Sequence, residues 1–146
     1  MQTFRFRLAR VLEWYTRQFQ EEERRYTACL AAVAEAHRAI AAFQAERLAI
    51  ENDVVSRVSI PAREFVALGL YRLGAKKREV ELNEIKAQRQ QAAKLQLQTL
   101  QLAQRKMRLL EKLRERRLTE HEYAETRELE ELASDAFFAK WAAEGQ

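Results

Sequence analysis

Three side chains are of the types that do nucleophilic or imidazole chemistry: Cys29, His37 and His121. A thiolate–imidazole pair needs its two groups within hydrogen-bond reach. Cys29 and His37 stand eight positions apart on one predicted helix, too far for that pairing. His121 has acidic neighbours, Glu120 and Glu122, but adjacent positions on a helix do not face one site. Zinc-ligand spacing, a phosphate-binding glycine loop and a nucleophile elbow are all missing from the sequence. The three residues read as polar positions tolerated in a helical seam or on a surface. No enzymatic activity, no cofactor and no bound metal are expected.

Charge is the next chemistry on offer. Leu110 to Leu132 reads LEKLRERRLTEHEYAETRELEEL, a basic knot that runs without a break into acidic helix. Residues 1–55 carry eight basic and eight acidic groups, residues 56–118 carry 16 and 6, and residues 119–146 carry 2 and 8. The formal net charge of +4 thus hides a basic middle and an acidic end. The stretch Arg105 to Arg117 has the charge to touch phosphates. A basic-zipper reading puts the basic region before the leucines, whereas Leu95, Leu102 and Leu109 come first here. Phosphate binding also needs a sustained positive face, and the acid from Glu120 onward opposes it. No nucleic-acid partner is expected; a nucleic-acid-binding helix is the least favoured alternative.

These groups must be positioned by very few elements. The 146 residues include three Gly and one Pro, far fewer than an average chain holds, and strong helix formers dominate. From Leu8 onward apolar residues recur mostly at steps of three and four: Leu8, Leu12, Tyr15, Phe19, Tyr26, Leu30, Val33, Ile40, Phe43, Ile50, Val54. That spacing predicts one helix over about 5–55, some 75 Å long at about 1.5 Å per residue. Pro61 sets a corner over about 56–61, because the residue before a proline is pushed out of helical geometry, and Ser59 is the expected N-cap. A second helix follows over about 62–138. The fold class is all-α: two long helices in an antiparallel coiled-coil hairpin, within a single domain over 1–146. If Val55 pairs near Ala62, Phe6 pairs near Glu111. The chain past about residue 116 then overhangs helix one.

Aromatics mark both ends of this arrangement. Phe4, Phe6, Trp14 and Tyr15 lie at the start, and Phe137, Phe138 and Trp141 lie at the end of helix two. The latter serve either as a local fold-back or as anchors for a partner pocket. No apolar run approaches the roughly 18 residues of a membrane-crossing helix, and a lone cysteine fits a reducing compartment. A cytoplasmic protein is expected.

The opening FRFRLARVLEWYTRQFQEEERR, Phe4 to Arg25, resembles the start of FliJ proteins, soluble components of the bacterial flagellar type III export apparatus. The L-E-K-L-x-E-R-R stretch within Leu110–Arg117, followed by acidic helix containing Arg127, resembles that family's second signature. The resemblance implies a non-enzymatic coiled-coil stalk similar to the central stalk of rotary ATP synthases. The implied partners are the export ATPase hexamer, the export-gate membrane protein and export chaperones. It further implies peripheral association with the cytoplasmic face of the inner membrane through those partners. Phe4, Leu8, Leu12, Arg116, Arg117, Arg127 and Leu129 match the terminal motifs and would face the ATPase. Ile40, Phe43, Arg47, Leu68 and Tyr71 are the expected gate-facing cluster. An injectisome stalk protein or a generic coiled-coil adaptor are the alternative functions.

Overall fold

In a computed structural model, which describes residues 2–145, two α-helices pack against each other: α1, Ala9–Val55, and α2, Ala62–Glu144. No strand occurs among the described residues. The all-α hairpin read from periodicity and one proline is the fold observed. The bounds at the corner, Val55 and Ala62, fall where expected, while the outer bounds differ: α1 starts later than residue 5, and α2 continues past residue 138.

The corner is closed by its own polar groups. Ser56 N–H donates to the Asn52 carbonyl at 3.0 Å, Ser56 Oγ donates to Asp53 at 2.9 Å, and Arg57 N–H donates to Val54 at 3.3 Å. These bonds satisfy last-turn carbonyls that a helix end leaves without partners. At the start of α2 the Pro61 carbonyl accepts from Glu64 N–H at 3.0 Å and Phe65 N–H at 3.1 Å. Pro61 therefore occupies the capping position itself, and Ser59 does not. Glu64 sits in the first turn, where a carboxylate suits the helix dipole. The Arg57 guanidinium spans the corner, 2.6 Å from Glu64 and 3.0 Å from Asp53.

The chain divides into two compact units. One is Gln20–Gln101; the other combines the chain ends, up to Phe19 and from Leu102 onward. In the first unit the helices run antiparallel, since partners on α2 fall in number as α1 rises: Gln96 with Glu22, Arg89 with Ala32, Glu79 with Arg47, Arg72 with Glu51. Its buried residues are Ala36, Leu68, Ala75, Leu82 and Ala93. Leu68, Ala75 and Leu82 repeat at seven positions, which keeps one stripe of α2 against α1. Three of the five are alanines, and no large side chain is fully enclosed.

Polar groups span this thin seam. Arg47 Nη1 donates to Glu79 at 3.0 Å while its Nε lies 3.8 Å from Glu51, and Arg72 reaches the same Glu51 at 3.3 Å. This chain of four side chains ties the helices near the corner. Arg89 Nη1 donates to the Ala32 carbonyl at 3.1 Å and lies 3.5 Å from Glu35. Gln96 Nε2 donates to the Glu22 carbonyl at 3.3 Å and also to the Glu22 carboxylate. Such bonds fix register, because a slip of either helix leaves their half-buried groups unpaired.

In the unit of chain ends, residues 2–6 are not helical. Phe4 and Phe6 are half-buried while Thr3, Arg5 and Arg7 are exposed, the alternation of an extended segment. A helix would point positions 4 and 6 to nearly opposite sides. The extended form turns both phenylalanines toward α2, which is why helix one starts late. The Phe6 carbonyl then accepts from Ala9 N–H at 3.2 Å, and the Leu8 carbonyl accepts from Leu12 N–H at 2.9 Å, opening α1.

Candidate functional site

The residues that the first 25 positions and the Leu110–Leu132 stretch single out meet in the unit of chain ends. Phe4 packs edge-on against His121, with ring centroids 5.6 Å apart at 64°. The Gln2 carbonyl accepts a hydrogen bond from His121 Nε2 at 2.9 Å. Between the extended segment and α2 lies a groove of about 670 Å³. Gln2 to Leu8 form one side; Leu113, Arg117, Glu120 and His121 form the other. A shallower hollow of about 450 Å³ adjoins α1 at Ala9, Leu12, Glu13, Thr16 and Arg17, facing Arg114.

The site joins apolar floor to cationic rim. Phe4, Phe6, Leu8 and Leu113 supply carbon surface, while Arg5, Arg7 and Arg117 supply three guanidinium groups against the single carboxylate of Glu120. An arginine rim around an aromatic floor suits an apolar anchor on a partner whose surrounding surface is acidic.

Of the seven residues expected to face an ATPase, Phe4, Leu8 and Arg117 line the main groove and Leu12 lines the hollow. Arg116 lies beside them, 3.9 Å from Glu120 on the exposed face. Arg127 and Leu129 stand further along α2, with Arg127 3.3 Å from Glu131. The overhang begins later than residue 116. Arg117, Glu120 and His121 meet the segment that precedes α1, and Leu118 and Glu125 are half-buried. Beyond Glu125 every described residue of α2 is exposed. Phe137 and Phe138 touch each other, with centroids 6.1 Å apart, and Trp141 is 69 % exposed. They are not folded back onto a core.

The five residues expected to face an export gate lie along the seam between α1 and α2. Leu68 is buried at 9 % exposure, and Ile40, Phe43, Arg47 and Tyr71 are half-buried. Their apolar area is largely committed to holding α1 and α2 together. The exposed large apolar residues at that end include Val55, Val58, Phe65, Val66, Leu70 and Leu73, none of which was among those expected. Apolar residues on both faces of α2 give two rival helical stripes, and periodicity does not say which one faces α1. His121, expected only as a tolerated polar position in a seam or on a surface, is the residue that meets the extended segment. The signal for its role was the Phe-x-Phe alternation at the start, which marks an extended strand of chain in need of a surface.

Cys29 is half-buried and His37 exposed on α1 in the Gln20–Gln101 unit. No group of three or more His, Cys, Asp or Glu is arranged to hold a metal among the described residues. No described helix is long and apolar enough to cross a membrane. No protein-family model matches the chain, and neither a curated protein nor a solved structure does.

Proposed function

We propose that the chain is a non-enzymatic, FliJ-like component of a flagellar type III export apparatus. In this reading it is a coiled-coil stalk whose chain ends engage the export ATPase ring. It also meets the export gate and export chaperones, and it works at the cytoplasmic face of the membrane through those partners. One observation carries the reading. The two stretches that resemble the family, about a hundred residues apart in sequence, face each other across one groove, with Phe4 against His121 and Leu8 near Leu113 and Arg117. The continuation of α2 past Glu125 with Arg127, Leu129, Phe137, Phe138 and Trp141 exposed supplies a helix available to a ring of subunits. A stalk in this role works by shape and charge rather than bond-breaking, and uneven faces let it contact successive subunits differently.

The test is a pull-down with the cognate export ATPase, read out by ATP hydrolysis. The full chain is expected to bind and to stimulate hydrolysis. Truncation after Glu125 keeps the Phe4–His121 contact and is expected to abolish stimulation while the remainder stays helical. A full chain that neither binds the ATPase nor changes its turnover would end this reading.

A further inference from the structure

The first turns of α2 carry a second apolar stripe that nothing among the described residues covers. Val66, Leu70, Leu73, Lys77 and Val80 succeed one another at steps of four, three, four and three, so they share one face. Leu68, Ala75 and Leu82 face α1 from the opposite side. The outward residues are open: Leu70 is 66 % and Leu73 69 % exposed, and Val58 at the corner is fully exposed. Gly69, on the edge of the same face, meets nothing within 4 Å even where a Cβ would project.

Charge distinguishes the occupants. Residues 55–80 hold six basic side chains and two acidic ones, Glu64 and Glu79. Arg57, Arg72 and Arg78 are held by carboxylates. Arg63, Lys76 and Lys77 make no ion pair among the described residues. Lys77 stands within the apolar stripe, and Arg63 and Lys76 flank it. A second copy docked through this stripe would bring like charges together, Lys77 against Arg63 in an antiparallel arrangement or Lys77 against Lys77 in a parallel one. An anionic bilayer surface meets both features at once: leucine and valine enter the headgroup boundary while lysine and arginine reach the phosphates.

We propose that the corner and the first five turns of α2 form a docking face for anionic lipid, lying on the membrane rather than crossing it. This contact is made by the chain itself, and it does not depend on the export reading. Each basic residue held near an anionic surface raises partitioning about fivefold, so three free cations and the apolar stripe are enough for reversible attachment.

The experiment is vesicle flotation of the full chain with phosphatidylglycerol-containing vesicles or pure phosphatidylcholine vesicles, alongside sedimentation without lipid. The chain is expected to float with the anionic vesicles and not with the neutral ones. Leu70→Glu with Leu73→Glu should reduce flotation by at least roughly tenfold, at unchanged helix content because both positions are exposed. Arg105→Gln with Lys106→Gln, in the basic stretch of the other unit, should float like the parent. No flotation, equal flotation on both vesicles, or full flotation of the double-glutamate variant would overturn the proposal. So would a dimer in sedimentation that the same double variant dissolves, since a second copy would then be the occupant. None of these outcomes involves the ATPase, so they are separable from failure of the proposed function.

Discussion

His121 Nε2 lies 2.9 Å from the carbonyl oxygen of Gln2, across 119 positions of sequence. A carbonyl only accepts, so the imidazole donates from Nε2. One side chain thereby fastens both the backbone of the chain start and, through its ring, Phe4.

Replacing His121 by Ala should free residues 2–8 without unwinding either helix. A hydrogen bond and an edge-on aromatic contact are each worth about 1 kcal/mol. Amide exchange should quicken over residues 3–8 and trypsin should cut sooner after Arg5 and Arg7, at unchanged circular dichroism. Unchanged exchange would mean that Phe6 and Leu8 hold the segment alone.

Leu82 and Leu95 lie on different faces of α2, the first buried and the second exposed. Leu82→Ala should cost at least about 2 kcal/mol in urea unfolding, and Leu95→Ala should stay within about 0.5 kcal/mol. Similar losses at both sites would mean that the outer face is covered in solution.

Gln96→Leu removes the donor that meets the Glu22 carbonyl and carboxylate. It should cost about 1 kcal/mol because Glu22 then faces an apolar neighbour. Adding Glu22→Leu should recover most of that loss, read as a double-mutant cycle in chemical unfolding. Simple additivity of two losses would show that the pair does not interact in solution.

Two Gly-Ser residues inserted beside Ser56 should leave the helix signal intact, since the corner only lengthens. Proline at Ile85, mid-helix, should cost about 3 kcal/mol or more. Equal damage at the two sites would contradict the position of the corner.

The hairpin was legible because one signal stood alone. Pro61 is the only proline, and the three-and-four spacing on either side needs a reversal there to bury anything. The start was not legible from helical spacing, because Phe4 and Phe6 follow a period of two while Leu8 and Leu12 follow a period near four. Reading both as one helix put its beginning too early. The register was misjudged along the hairpin: Ala32, Arg47 and Glu51 meet Arg89, Glu79 and Arg72, several positions further along α2 than pairing Val55 with Ala62 places them. The groove needed one further fact, that His121 faces the extended segment, and local sequence around Glu120 and Glu122 does not carry it. The outer stripe on α2 stayed hidden behind the inner one, since Leu68 and Leu70 are equally apolar and only packing distinguishes them.

The alanine-rich seam reverses the usual asymmetry of mutation. In a core of large side chains truncation does most harm, because it leaves a void. Ala36, Ala75 and Ala93 are buried and have almost nothing to lose by truncation. Enlargement is their hazard, as an added branch wedges the helices apart. Drift toward valine, threonine or leucine, innocuous on the outer faces, is the direction these three positions must resist. The helices stay paired through the continued smallness of a few residues.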